Sequence, residues 1–447
     1  MPKRVNTRVA FTFFSAAVII VGTLFAIRYA KGQRPTSGGT LRETGLLDAN
    51  SFPTAAQVFI NGKLTTATDD KLNLDPGDYQ IEIRKDGYST WQKNLRIEKE
   101  LVTQTDALLF PSVPSLSPIT FTGVQNVVPA PDGQKLVYFT ASASAEAKNG
   151  LYLVDLSDTS PLSLQRGSHQ ISTNSKYIDL SKASLIWSPD SYELMVTNGS
   201  THLLLDITKL NNLDTMSDVS LRAKSTYSSW EEEMYLKERQ ILTKFPPEIV
   251  QIATSSATNV YFSPDQEKML YIATASAQIS AGLLPPQPAA SSQPEERLLK
   301  PGNAYVYDRK EDRNFLIAAP GVIPSVSKQL LATDLYRDPI ALEDNPNAFK
   351  HLQASDSAQL AQNFRVYHSG LFSGSFQWYP DSKHLIRIQP NNISILEYDA
   401  TNEITVYSGP FVPSFVYPWS NGNKLLIMTS FNQPAASPVN IYGIQLK

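Results

Sequence analysis

The chain has 447 residues, more than the roughly 250–300 at which a single core stops growing, so two folded units and a leader are expected. A net charge of −3 offers no electrostatic footprint for nucleic acid. Cysteine is absent, which excludes disulfides, thiolate metal sites, thiol nucleophiles and an acylated lipoprotein anchor together.

With 42 % hydrophobic and 10 % aromatic residues the chain can bury a core, and its 30 prolines favour turns and strands over long helices. The fold class expected is mainly β. Residues 1–8 are a short tail. Residues 9–29 are expected to form a transmembrane helix, since the 19 residues from Val9 to Ile27 carry no charge. At 1.5 Å per residue that run reaches about 28 Å, the thickness of a hydrocarbon core. No small-x-small cleavage site precedes Arg28, Lys31 and Arg34, so the segment reads as an uncleaved anchor. Lys3, Arg4 and Arg8 precede it and a similar cluster follows, so charge alone does not orient it. A short tail inside with the bulk exported is the expectation. The polar residues 30–44 then read as a flexible linker.

Residues 45–110 read as short strands. Tyr79 to Arg84 alternates apolar and polar residues, and so does Gln57 to Asn61, as a half-buried strand should. Asn61-Gly62, Asp75-Pro76-Gly77-Asp78 and Asp86-Gly87 mark turns, the first because both residues tolerate positive φ, and Gly77 because it accepts the strained third position. A compact antiparallel sandwich fits strands this short. The stretch from Ser51 to Gly62, then Leu74 to Tyr79, then Lys85-Asp86-Gly87-Tyr88 resembles a PEGA domain. That resemblance implies a small immunoglobulin-like β-sandwich common in bacterial and archaeal envelopes, and no enzyme. The namesake motif reads Asp-Pro-Gly-Asp here, and only its turn Gly fits cleanly. Tyr88 and Trp91 are either sandwich core or an exposed aromatic surface.

Residues 112–447 carry an internal repeat. The copies begin at Pro131-Asp132-Gly133, Trp187-Ser188-Pro189-Asp190, Phe262-Ser263-Pro264-Asp265 and Trp378-Tyr379-Pro380-Asp381, with a degenerate Trp419-Ser420-Asn421-Gly422. An apolar strand follows each turn, and after most copies comes another, such as Leu151 to Leu156 or Ile393 to Asp399. Each repeat is thus one small sheet that cannot bury both faces alone. The pattern resembles the TolB-type propeller repeat and implies a β-propeller. Asp132, Asp190, Asp265 and Asp381 lie 58, 75 and 116 residues apart. The widest interval is expected to hide a diverged blade, which gives about six blades within a range of five to seven. A helical insertion is expected at 226–247, with Ser229 and Glu232 at capping-box spacing and Trp230, Met234, Ile241 and Phe245 on one face. It either packs on the propeller rim or docks a partner. Residues 281–301 read as a Pro-rich loop.

Chemistry is sparse. His169, His202, His351, His368 and His384 make no pair at helical or strand spacing, so no metal site and no cofactor is expected. Glu343-Asp344-Asn345 lacks the rest of a calcium loop. No nucleophile elbow and no phosphate-cradling loop appears. The Asp residues of the repeats are expected to bond their own turns at separate, non-converging corners. No catalytic, cofactor-binding or metal residue is assigned. The function expected is that of a non-enzymatic, membrane-anchored envelope protein, its bulk extracytoplasmic. The propeller would bind a protein, peptide or cell-wall glycan, and the sandwich would hold it off the membrane. The alternatives are a propeller-borne glycan lyase or hydrolase, and a sensor ectodomain.

Overall fold

The computed structural model describes residues 7–30, 34–35, 41–42, 44–157, 167–285, 293–320, 375–430 and 438–447. Most of the linker 30–44, the centre of the Pro-rich loop, Glu343-Asp344-Asn345, His351 and His368 lie outside them. Helix α1 spans Thr7–Ala30. Its described side chains run from Phe11 to Ile27, and many are exposed, Phe13 at 73 %. Among the described residues no helix is long and apolar enough to cross a membrane, so the transmembrane assignment of 9–29 is not supported by the structure.

The rest of the chain divides into two compact units that part at Leu109–Phe110. In the first, a four-stranded antiparallel sheet takes Gln57–Ile60, Lys63–Ala67, Gly77–Arg84 and Trp91–Ile97. Trp91–Ile97 alternates buried and exposed residues along its whole length, the period of a strand with one wet face. Asn61 and Gly62 both adopt positive φ (49° and 78°) and join Ile60 to Lys63 in a two-residue hairpin, as that pair predicts. Gly77 does not take positive φ: it opens a strand, and the Tyr79 hydroxyl secures the turn by donating to the Asp75 carbonyl at 3.0 Å. The sandwich is not wholly antiparallel. Gly45–Ala49 pairs in parallel with Val102–Gln104, and Ser51–Phe52 in parallel with Ala107–Leu108. The unit's first and last strands therefore lie side by side, a pairing that local turn signals cannot show. Trp91 is buried and Tyr88 packs against the same core. Both belong to the core rather than to an exposed surface.

In the second unit five antiparallel sheets of three or four strands follow one another among the described residues, beside a two-stranded pair of Ala277–Gln278 with Leu298–Leu299. Blade 1 takes Gln125–Pro129, Lys135–Thr140, Gly150–Asp155 and His169–Gln170. Blade 2 takes Ser184–Trp187, Glu193–Asn198 and Thr201–Asp206. Blade 3 takes Ala257–Phe262, Lys268–Ala273, Ala304–Asp308 and Arg313–Ala318. Blade 4 takes Phe376–Trp378, His384–Gln389, Asn392–Glu397 and Ile404–Ser408. Blade 5 takes Val416–Pro418, Lys424–Thr429 and Asn440–Gln445, and the early strand Leu116–Pro118 completes it. A sheet built from both ends of the unit closes the ring.

Central strands read as continuous apolar runs because each face meets a different neighbour. Val137 and Phe139 pack with Leu185, Trp187 and Leu194 of blade 2. Leu136 and Tyr138, on the opposite face, pack with Phe415, Leu426 and Ile441 around blade 5. Blades 3 and 4 share a core in the same way, through Leu270, Val306 and Phe315 with Phe376, Leu385 and Leu396. Among the described residues no sheet stands between blades 3 and 4, and five blades are seen, within the five to seven expected; residues 321–374 of the wide interval lie outside the described residues.

The helical insertion is larger than expected and fills the remaining junction. Helix α2 runs Ser220–Leu242 and α3 runs Pro247–Ser255. Ser229 lies inside α2 and not at its start. The end is fixed instead by Asp218, whose carboxylate accepts the Ser220 N–H at 2.9 Å. Pro247 does not end the helix but opens the next at its first position, where a missing N–H is harmless. Ala223, Tyr227, Trp230 and Met234 pack on the face of blade 2 that carries Ile186 and Met195. Ile241, Leu242, Phe245 and Ile249 pack on Met269, Tyr271 and Tyr305 of blade 3. The apolar stripe of the insertion is core of the ring.

Candidate binding site at the propeller axis

Each repeat turns on the same local device. The Asp carboxylate accepts the N–H two residues on: Asp132 from Gln134 (2.9 Å), Asp190 from Tyr192 (3.1 Å), Asp265 from Glu267 (3.1 Å) and Asp381 from Lys383 (2.8 Å). Asn421 does the same for Asn423 at 2.7 Å. The next residue is left-handed in every copy: Gly133 (φ 70°), Ser191 (62°), Gln266 (61°), Ser382 (61°) and Gly422 (71°). Hydrogen bonds to the ionised form favour it. The Ser188 hydroxyl holds the Asp190 carboxyl below its usual value. Burial alone would raise Asp265, but the Ser263 hydroxyl and the following N–H outweigh it and leave the group lowered. Burial also opposes Asp381, and the charge and ring of His384, whose Nδ1 lies 2.7 Å away, hold it down. These carboxylates anchor turns, as expected.

The turns also interlock adjacent blades. The Asp132 N–H donates to Ser191 Oγ in the next blade (3.1 Å), and the Asp265 N–H to Ser382 Oγ (2.9 Å). Trp187 Nε1–H donates to the Val128 carbonyl (3.2 Å), and Trp378 Nε1–H to the Tyr261 carbonyl (3.0 Å). Between blades 4 and 5 the Tyr379 hydroxyl donates to the Gly422 carbonyl. Between blades 5 and 1 the Ser420 hydroxyl donates to the Leu156 carbonyl.

Of the four repeat carboxylates only that of Asp132 belongs to a residue lining a shared cavity, so the Asp side chains themselves do not converge, although turns that carry them do. Turns of four blades converge on one cavity of about 480 Å³. Blade 1 gives Pro131 to Gln134, blade 3 gives Val260 to Pro264 and Gln266, blade 4 gives Phe376 to Trp378 and Pro380, and blade 5 gives Tyr417, Pro418 and Ser420. Blade 2 is absent from the wall, and Glu238 and Ile241 of α2 stand there in its place. The volume falls in the roughly 300–1,000 Å³ range of small-ligand sites. One-dimensional spacing cannot show where a ring brings its corners.

Gln377 is the functional candidate that sequence reasoning missed. The residue lines the cavity and is 5 % exposed, and its Nε2 and Oε1 are buried without a hydrogen-bond partner. The position four residues before the turn Asp or Asn holds Val128, Ile186, Tyr261 and Tyr417 in the other copies. A polar residue where the repeat is otherwise aliphatic or aromatic was the available signal. Among the described residues no group of three or more His, Asp or Glu side chains is placed to hold a metal ion.

Residues 44–112 match the family model of the PEGA domain. No curated protein matches the chain. Among solved structures it is similar to a protein assigned as TolB from Agrobacterium tumefaciens, with 11 % identity over 73 % of this chain and 82 % of that one and a TM-score of 0.21. TolB from Acinetobacter baumannii is 9 % identical over 82 % of this chain and 60 % of that one, with a TM-score of 0.21. An oligogalacturonate lyase in complex with manganese is 10 % identical over 74 % and 93 %, with a TM-score of 0.33. The propeller assignment rests on the five sheets and their shared junctions.

Proposed function

We propose that the chain is a non-enzymatic binding protein of a cell envelope whose propeller takes its ligand in the axial cavity. The observation that carries this reading is the convergence of turns from four blades on one cavity of about 480 Å³. Function on propellers lies in such sites rather than in the fold. The PEGA domain serves as spacer. Helix α1 serves as membrane anchor, with the bulk of the chain extracytoplasmic; its exposed Phe11, Phe14, Ile19 and Phe25 motivate that part. A photo-crosslinking residue placed at Phe262, on the cavity wall, should capture a ligand from envelope extracts in full-length protein. The same residue at Leu221, exposed on α2, should not. Equal capture from both positions, or none from Phe262, rejects the reading. Alkaline washing of membranes should leave the full chain bound and release a chain lacking residues 7–30.

A further inference from the structure

We infer that Asn198 is a site of spontaneous modification, where the side-chain amide is lost to give isoaspartate and aspartate, and that this conversion loosens the seat of helix α2. The chain holds four Asn-Gly pairs: Asn61-Gly62, Asn149-Gly150, Asn198-Gly199 and Asn421-Gly422. Each Gly lacks the Cβ that would shield its own nitrogen, so the sequence ranks the four together. The fold separates them. In three pairs the Asn side chain is engaged. Asn61 Oδ1 accepts the Gln80 N–H (3.0 Å), Asn149 Oδ1 the Ala143 N–H (2.9 Å) and Asn421 Oδ1 the Asn423 N–H (2.7 Å). Two of the glycines are held as well. The Gly422 N–H donates to the Trp419 carbonyl (2.8 Å). Gly150 is buried, and a Cβ there would collide with the Ser172 carbonyl.

Asn198 differs on every count. It ends the strand Glu193–Asn198, and the two-residue loop Gly199-Ser200 returns the chain to Thr201. Among the described residues its half-buried side chain makes no hydrogen bond. Gly199 is exposed with φ 61°, and nothing lies within 4 Å of where its Cβ would sit. The Asn198 Cγ can therefore turn onto the Gly199 nitrogen without breaking a contact. Once a base has taken its proton, that nitrogen attacks Cγ. The Cγ–Nδ2 bond breaks, ammonia leaves with a proton, and a five-membered imide closes. Water then opens the ring. Cleavage of the N–Cγ bond gives aspartate, and cleavage at the main-chain carbonyl gives isoaspartate, with the backbone rerouted through Cγ. The net change is amide plus water to carboxylic acid plus ammonia. Isoaspartate adds one backbone atom next to a loop on which α2 is seated. The Ser220 hydroxyl donates to the Ser200 carbonyl (2.6 Å), and the Val219 N–H to the His202 carbonyl (2.8 Å).

The test ages the full-length wild-type chain in warm, mildly alkaline buffer made with heavy-oxygen water. Mass spectrometry then follows the four Asn-Gly peptides. Heavy oxygen marks each ring opening, and isoaspartate elutes apart from aspartate. The Asn198 peptide is expected to convert at least tenfold faster than the other three, with isoaspartate in excess. In urea the four rates should converge, because the contacts that separate them are gone. Equal rates in the folded chain, or a faster rate at Asn61, Asn149 or Asn421, overturn the inference. A lead of Asn198 that persists in urea also overturns it, since sequence neighbours and not the fold would be the cause. Amide exchange over residues 217–223 should be at least threefold faster in the aged chain than in chain kept cold. Unchanged exchange in fully converted protein would overturn the effect on α2.

Discussion

Four junctions of the ring join sheet to sheet, and the fifth, between blades 2 and 3, is made by helices. At the sheet junctions the contacts recur: Trp187 and Trp378 reach back to Val128 and Tyr261, and Ser191 and Ser382 accept from Asp132 and Asp265. At the helical junction none of this recurs. Blade 2 presents Ile186 and Met195 to Tyr227 and Trp230, and blade 3 presents Met269 and Tyr271 to Phe245 and Ile249. A repeat sequence specifies a neighbour that is another repeat. Where the neighbour is an insertion, the junction combines apolar area with contacts of its own, such as Thr197 Oγ1 with the Tyr227 hydroxyl (3.0 Å) and Lys244 Nζ donating to Gln266 Oε1 (2.6 Å), and nearby the axial wall passes from blade turns to Glu238 and Ile241.

The largest expected effect would break this comparison most directly. Trp187 is fully buried and its N–H is bonded across the junction. Trp187→Ala removes a large core side chain and strands the Val128 carbonyl, so a loss of about 3–5 kcal/mol is expected. Trp230 is 7 % exposed on α2, and Trp230→Ala should lie at or below the lower end of that range. Urea unfolding of the two variants checks the order. An equal or larger loss for Trp230→Ala would make the helical junction as tightly specified as the sheet junctions.

The same contrast decides what could be read beforehand. The turn device was legible in Asp132, Asp190, Asp265 and Asp381 because Pro-Asp in a tight turn bonds its own backbone. The strand order within a blade was legible because consecutive antiparallel strands pair with their neighbours. The helix start was not, because Ser229 and Glu232 mimic a capping box while the helix begins at Ser220, whose N–H donates to Asp218, eleven residues before Ser229. The blade count was legible only as a range of five to seven, because the 116-residue interval measures chain length and not what fills it. The parallel pairing of Gly45–Ala49 with Val102–Gln104 joins segments more than fifty residues apart, beyond any local signal. Convergence of the turns is a property of ring closure. Only Gln377 left a trace, as a polar residue in an apolar column of the repeat.

A middle-sized effect sharpens the account of the sheet junctions. Gly422 has φ 71°, and a Cβ there would lie 2.8 Å from the Tyr379 hydroxyl oxygen of blade 4. Gly62 of the first unit has φ 78° with nothing within 4 Å. Gly62→Ala should cost about 1–2 kcal/mol, the strain of a left-handed L-residue alone. Gly422→Ala should cost about 1 kcal/mol more, because the Tyr379 bond to the Gly422 carbonyl must shift. Hydrogen exchange resolved by peptide reads each unit separately. Equal losses would mean that the tyrosine contact contributes nothing to closing the ring.

The smallest effect concerns the charge state of the two junction types. Glu231 of α2 is buried, its Oε2 has no hydrogen-bond partner, and burial raises its carboxyl above the ordinary 4.5. Asp381, beside the sheet junctions, is shifted the other way. A raised acid binds more protons folded than unfolded, so its contribution is whole below about 4.5 and falls as pH rises through the folded value. A lowered acid contributes above its unfolded value and loses that contribution as pH falls through the folded one. Glu231→Gln should therefore remove a decline in stability that begins near pH 4.5 and continues upward, leaving the variant as stable as wild type at pH 4 and more stable at pH 7. Asp381→Asn should act in the opposite sense, least at low pH and most at neutral pH. Urea midpoints across pH 3–8 compare the two, and a Glu231→Gln curve parallel to wild type would show that the helical junction carries no penalty for its buried acid.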